Sequence, residues 1–352
     1  NYLAFDPSYR SYYLPEGMPG PTAYLGQPSF LYRNDNGSYT EVGEEAGIRL
    51  PGAKAMGIGA ADFDGDGDLD IFQANDATRN YLFVNDGKGH FHNVAYKFSV
   101  AYSQSGEFSA SMHASWGDFN HDGWFDLYVP DIKFGGLFEN LQGKKFEDIT
   151  LKSGVATVSG QYSAWGADFA DFDNDGNLDL YIANGKFHHL FPEQDLLLLG
   201  DGAGVFQDVT NLAGDWFRVK RVSRGGALAD FDNDGDMDAL FNTNEVHGQP
   251  VLLRNDQKEK RNWLGIKLLS KEGSPDPIGA KVRVTSGSLT QTAQMQRVRS
   301  YLSSSDPRLH FGLGDGSVDA VEVLWPGGEK TTLEDVPTNQ YITIQEGKGR
   351  VK

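Results

Sequence analysis

Short apolar runs separated by Gly, Asp and Asn recur along residues 1–256. The pairs 31–35 and 39–42, 81–87 and 91–94, 137–140 and 146–149, and 197–202 and 206–209 each flank a polar turn, as in Asn85-Asp86-Gly87. Asn-Gly and Asp-Gly between apolar runs suit tight β-hairpins. A fifth run, 251–256, begins the same way and finds no partner. Ahead of the last four runs, small residues lead into an acidic loop, and a further apolar run such as Leu69-Asp70-Ile71-Phe72 leads out. Each unit therefore predicts four short strands. No convincing 3.6-residue period extends over ten or more residues, so helices are not predicted.

The acidic loops begin at Asp62, Asp118, Asp171 and Asp230, which are 56, 53 and 59 residues apart. Four strands in such a unit predict a β-propeller blade rather than a β-solenoid, whose repeats are usually shorter. The chain predicts four to five recognisable blades. The hairpin near residues 30–42 supplies strands to a blade that later chain, or a neighbouring chain, must complete. After the charged stretch 256–261, strands are predicted at 263–269, 281–286, 290–298, 309–313, 320–325, 331–333 and 341–345. Seven short strands in this length predict a small β-sandwich. The fold class is thus all-β: a propeller over 1–256 and a sandwich over 257–352.

Composition narrows the function. Among 352 residues, 49 acidic against 31 basic side chains give a net charge of −18, which a nucleic-acid backbone would repel. No apolar run approaches the roughly 18 residues of a membrane-spanning helix; the longest, 196–199, is four leucines. Cysteine is absent, which excludes disulfides, thiolate zinc sites and cysteine nucleophiles and leaves the redox compartment open. Starting on Asn1 fits a mature form after signal removal, or a fragment.

Each acidic loop fits D-x-[DN]-x-[DN]-G-x-x-D. Candidate metal ligands are Asp62, Asp64, Asp66, Asp68 and Asp70; Asp118, Asn120, Asp122, Trp124 and Asp126; Asp171, Asp173, Asp175, Asn177 and Asp179; and Asp230, Asp232, Asp234, Asp236 and Asp238. Side chains at positions 1, 3, 5 and 9, with the backbone carbonyl of position 7, can converge on one hard cation. Calcium takes six to eight oxygens in flexible geometry, whereas magnesium dehydrates reluctantly. Imidazole and thiolate are missing, which disfavours zinc and copper. An EF-hand needs Glu at position 12; here Gln73, Val129, Ile182 and Phe241 stand there, on predicted strands. Polar turns are the plain alternative, but one register repeated four times weighs against it. These loops hold 17 of the 49 acidic residues, and such crowding of carboxylates without a counter-ion destabilises a fold. About four Ca2+ per chain are expected, which would bring the net charge to −10.

At these residues the chain resembles the FG-GAP or VCBS repeats of integrin-α-type propellers. Beyond residue 262, Ile278-Gly279-Ala280, the stretch from Ser303 through Pro307-Arg308 to Gly314, and Trp325-Pro326-Gly327-Gly328 look like the ASPIC/UnbV domain of the cartilage acidic protein 1-like family. Together these resemblances cover roughly residues 28–348. They imply a secreted or cell-surface calcium-binding module for protein binding, adhesion or assembly, with calcium as a structural staple. A protein or glycan partner and self-assembly are both compatible with that.

Other chemistry is sparse. His188-His189 are adjacent and on a strand would face opposite sides. His113 precedes the second loop, on a strand expected to line the channel, and reads as a packed or solvated residue rather than a base. Ser303-Ser304-Ser305-Asp306 has no nucleophile elbow and reads as a turn. Trp116, Trp165, Trp216 and Trp263 read as packing residues, and the Asn36-Gly37-Ser38 sequon as a hairpin turn. No catalytic constellation is visible, so the chain reads as a non-enzyme. The alternative is a carbohydrate-binding protein or carbohydrate-active enzyme with its site at the propeller centre or rim, its acids drawn from distant loops. The sandwich, lacking acidic loops, is expected to be nearly indifferent to calcium.

Overall fold

Asn36 and Gly37 adopt φ of 55° and 96° and close the turn between β1 (Tyr32–Asp35) and β2 (Ser38–Glu41). Two successive positive φ values are what a tight hairpin between right-twisted strands demands. The structure is a computed structural model and describes residues 2–10, 19–187, 191–245, 248–273 and 276–351.

Four antiparallel meanders follow this ribbon. Blade 1 holds β3 (Ala55–Ala61), β4 (Asp70–Asn75), β5 (Tyr81–Asn85) and β6 (Phe91–Asn93). Blade 2 holds β7 (Ser115–Gly117), β8 (Asp126–Val129), β9 (Gly136–Asn140) and β10 (Phe146–Asp148). Blade 3 holds β11 (Ala164–Ala170), β12 (Asp179–Asn184), β13 (Leu196–Gly200) and β14 (Phe206–Asp208). Among the described residues blade 4 has three strands, β15 (Ser223–Ala229), β16 (Asp238–Thr243) and β17 (Val251–Leu253), and there the fifth apolar run pairs with β16 alone. The first strands β3, β7, β11 and β15 neighbour one another in that order and set an arc of blades. Among the described residues one short α-helix, unforeseen in the sequence, stands between blades 2 and 3: α1 (Val155–Ser159).

Alternation along each strand builds the contacts between blades. In β8, Leu127 joins Phe63, Phe72 and Leu82 of blade 1, while Tyr128 beside it joins Phe169, Leu180 and Leu198 of blade 3. In β12, Ile182 faces blade 2 and Tyr181 faces Leu228 and Phe241 of blade 4. The Phe at position 2 of the first two acidic loops, Phe63 and Phe119, is fully buried in these seams. A buried ring of this size contributes about 1.5–3 kcal/mol.

The C-terminal part has eight strands rather than seven: β18 (Asn262–Leu269), β19 (Lys281–Ser286), β20 (Leu289–Gln294), β21 (Leu309–Gly314), β22 (Ala320–Leu324), β23 (Lys330–Glu334), β24 (Gln340–Gln345) and β25 (Gly349–Val351). They form two four-stranded sheets, β21-β18-β24-β25 and β20-β19-β22-β23. Leu264, Ile266, Val282, Val284, Val321, Val323, Trp325 and Ile344 fill the space between them. The strand predicted over 290–298 stops at Gln294 because the following segment leaves the sheet for the propeller. There Asp306 N–H donates to Leu228 O at 2.9 Å, and Leu228 N–H donates to Ser305 Oγ at 3.1 Å. Gly225 admits this segment: a Cβ there would stand 2.3 Å from Ser303 Oγ and from Tyr301 O.

Candidate metal centres

All four acidic loops join the first strand of a blade to its second, so they lie on one face of the arc. Position 6 takes φ of 99°, 86°, 97° and 93° at Gly67, Gly123, Gly176 and Gly235, a region that penalises any Cβ. Position 4 is also left-handed, and is filled by Gly65, His121, Asn174 and Asn233. Asn tolerates that region better than most residues.

Two carboxylates close each loop. The Oδ2 atoms of Asp62, Asp118, Asp171 and Asp230 accept the position-6 N–H at 3.0, 3.0, 2.8 and 2.8 Å. At position 9, Asp70, Asp126, Asp179 and Asp238 each spend Oδ2 on the N–H of position 2, at 3.3, 3.2, 2.8 and 3.0 Å. Their Oδ1 atoms accept from the third strand or its end: Asn85, Asn140, Gly200 and Asn255 N–H at 2.9, 2.7, 3.0 and 2.7 Å. Position 9 is therefore the knot between acidic loop and hairpin, a role the ligand pattern did not reveal.

The remaining acids converge unevenly. Oxygens of Asp62, Asp64 and Asp66, of Asp171, Asp173 and Asp179, and of Asp230, Asp232 and Asp234 lie within 4.8 Å of one another. Asp175 has both oxygens taken by Asn177, Oδ1 accepting its N–H at 2.7 Å and Oδ2 its side-chain amide at 3.0 Å. The second loop carries Asn120 at position 3 and fewer carboxylates; Asp118 Oδ1 is buried there without a hydrogen-bond partner. Side chains at position 7 work between loops. Asn177 Oδ1 meets His121 Nε2 at 3.0 Å, Asn174 Nδ2 donates to Asp236 Oδ1 at 3.3 Å, and the Trp124 ring covers Gly65. Asp68 Oδ2 sits over Gly87, where a Cβ would be 2.5 Å away. A donor set made wholly of oxygens, with an orphaned buried carboxylate oxygen, fits calcium.

Burial pushes the carboxyls of Asp70 and Asp171 up to about 8, Asp118 to about 7 and Asp238 to about 6, and neighbouring acids of the same loop push the same way. Asp126 and Asp179 are raised well above the ordinary range for the same reasons. An unfolded Asp titrates near 3.9. Without metal, the folded chain holds protons that the unfolded chain has lost, so stability is full below about pH 4 and declines as pH rises through about 6–8. With calcium bound the sign reverses, because acid expels the ion. In chelator, the melting temperature is expected to fall from pH 5 to pH 8; with saturating calcium it should not. A chelated chain that melts higher at pH 8 than at pH 5 contradicts this.

The sandwich sits on these same loops. Lys281 Nζ lies 2.5 Å from Asp62 Oδ2, and Tyr341 OH donates to Asp230 Oδ2 at 2.6 Å. His310 Nε2 meets Asn174 Oδ1 at 2.7 Å, and Gly314 N–H donates to Asn174 O at 2.8 Å. Gly312 is obligatory, since a Cβ would fall 2.0 Å from Asp171 Oδ2. A chamber of about 70 Å³ remains between the domains, lined by Asp118, His121, Asp171, Thr292, Gln294 and His310 among others. The expected indifference of the sandwich to calcium is therefore revised: its seat is made of the candidate ligands. The only signals in the sequence were Gly225-Gly226, Gly312 and the Ser303–Arg308 stretch.

The other candidates resolve as packing. His113 is buried, and desolvation with the nearby Arg299 charge pushes its pKa down to about 3, so it is neutral. Ser303 Oγ donates to Tyr301 O at 2.9 Å and Ser305 Oγ to Asp168 Oδ2 at 3.2 Å, which makes the serine run a docking segment. Trp116, Trp165 and Trp263 are buried. His188 and His189 lie outside the described residues.

Residues 23–73 and 62–129 match the FG-GAP-like repeat, and residues 270–351 match ASPIC and UnbV. The chain is thus an FG-GAP-repeat β-propeller joined to an ASPIC/UnbV domain. Its curated relatives include cartilage acidic protein 1 of Xenopus tropicalis, 31% identical over 278 residues (74% of this chain, 40% of the relative). The Homo sapiens protein of that name is 27% identical over 326 residues, 87% of this chain and 46% of the relative. The chain spans less than half the length of these relatives. Among solved structures, an Agrocybe aegerita lectin that recognises non-reducing terminal N-acetylglucosamine aligns at 20% identity and a TM-score of 0.38, over 66% of this chain and 62% of the lectin.

Proposed function

We propose that this chain is a calcium-stapled binding or assembly module of the extracellular space, with one Ca2+ in each acidic loop. The observation that carries the reading is the common closure of all four loops, which buries position-1 and position-9 carboxylates beside further acids. A bound cation relieves that arrangement at neutral pH without the protons that the metal-free fold has to hold. The ion would be held by the side chains of positions 1, 3 and 5, by position 9 in the third loop, and by the carbonyl of position 7. The similarity to cartilage acidic protein 1 supports secretion. Calcium here serves architecture, fixing the blade ends and the seat of the sandwich, while a protein or glycan partner engages the outer surface.

Metal analysis after equilibrium dialysis against calcium is expected to find about four ions per chain. The second loop, with Asn120 in place of an acid, should be the weakest site. Zero or one ion, or stoichiometric zinc, would reject the reading.

A further inference from the structure

Blades 1 and 2 part at the end of β8 away from its acidic loop. There the segments 102–111 and 131–136 frame a groove of about 470 Å³, within the range of small-ligand sites. Its rim carries two exposed rings, Phe108 at 63% and Phe134 at 57% exposure. Both are braced: Tyr102 lies 5.8 Å from Phe108, and Phe134 rests on Gly160, where a Cβ would be 2.2 Å from the ring. Beneath them runs a buried polar row. Asn80 Nδ2 donates to Ser111 Oγ at 3.0 Å, and Ser109 and Ser111 Oγ are 2.7 Å apart. The buried Asp131 completes the wall.

We propose that this groove binds a glycan, with the C–H faces of a sugar laid on Phe108 and Phe134 and its hydroxyls on the Ser109–Ser111 row and Asp131. Flat apolar faces next to paired donors and acceptors match a ring that is apolar on its faces and hydroxylated at its edge. An ammonium ligand fits less well. Asp131 already accepts Ala110 N–H at 3.1 Å and Ile132 N–H at 2.5 Å, and Asp148 accepts Thr150 N–H at 3.0 Å, so both charges are met by the backbone, while Glu107 and Lys133, of opposite sign, also line the groove. The proposal deepens the binding-module reading and rests on it for context only, because the groove and the acidic loops lie at opposite ends of β8.

The test applies the calcium-loaded chain to an array of immobilised oligosaccharides, beside an array of lysine-rich and trimethyl-lysine peptides. At least one glycan class should be retained. Phe108→Ala and Phe134→Ala should each weaken it at least tenfold, Asp131→Asn should weaken it too, and Tyr39→Ala, at an exposed ring far along the chain, should not. Both rim rings are exposed, so their variants should melt with the parent, which a thermal scan verifies. No retained glycan, retention indifferent to both Phe variants, or retention of the cationic peptides alone overturns the proposal. Metal content is measured on the same sample. Four ions without glycan binding reject the groove and leave the metal reading; groove-dependent glycan binding without metal does the reverse.

Discussion

Removing calcium is expected to lower the melting temperature of the whole chain by roughly 8–16 °C. A site filled at 100 times its dissociation constant adds about 2.7 kcal/mol, so four independent sites add at most about 11 kcal/mol. That rivals the net stability of a typical domain, about 5–15 kcal/mol. Residual binding to the unfolded loops reduces the sum; if about 4 kcal/mol survives, a shift of about 2–4 °C per kcal/mol still gives roughly 8–16 °C. The sign follows from geometry, because removal leaves Asp62, Asp64 and Asp66, or Asp230, Asp232 and Asp234, facing one another with a single lysine beside each trio, Lys281 at the first and Lys260 at the fourth loop. The sandwich should respond as well, since Lys281 and Tyr341 bond to the position-1 carboxylates. Chelator should therefore speed proteolysis in the linker between β17 and β18 along with lowering the melt. Scans in calcium, in chelator and in magnesium decide the matter; coincident curves would reduce the acidic loops to turns.

The blades were legible because they repeat. Hairpin spacing, loop register and the Asn36-Gly37 turn each follow from local rules, and four copies average out the noise of any one. Even the rejected EF-hand reading was decidable, since Gln73, Val129, Ile182 and Phe241 do lie on strands. The seat of the sandwich was not legible. Its contacts use a different residue at each loop, Lys281 at the first, Gly312 and His310 at the third, Tyr341 at the fourth, so no period betrays them. The strand predicted at 290–298 is overlong for a related reason: Met295 still bonds Ala280 and Gly279 inside the sandwich, but the chain then leaves for blade 4, which it meets at Ser305 and Asp306. The position-9 knot was hidden for another reason. The pattern marks an acid as a ligand, while Asp70, Asp126 and Asp238 commit both oxygens to backbone N–H groups and stay outside the acid clusters.

Replacing Arg299 should be the most damaging single change outside the loops. Asp168 lies on β11 with its side chain only 3% exposed, and Arg299 Nε reaches its oxygens at 3.0 and 3.1 Å. Arg299 Nη2 also donates to Phe169 O at 2.7 Å, so one guanidinium ties the docking segment to blade 3. Removing one partner of a buried pair strands the other charge and costs about 3–5 kcal/mol. Arg299→Met, which keeps much of the apolar stem, is thus expected to melt about 6 °C or more below the parent at pH 8. Arg299→Lys keeps the charge but loses the fork and should fall between. Asp168→Asn combined with Arg299→Met leaves no stranded charge and should recover most of the loss. The pH dependence carries its own sign. Burial already raises the Asp168 carboxyl, with Arg299 pulling it down, so the variant raises it further. A carboxyl raised in the folded state costs nothing below about pH 4 and progressively more as pH climbs through its folded value. The gap between Arg299→Met and parent, each melted in the same calcium buffer so that the loop response is shared, should therefore narrow from pH 8 to pH 5. A gap that widens on acidification, or a variant melting within a degree of the parent at pH 8, would show that the Asp168 pair does not hold the domains together.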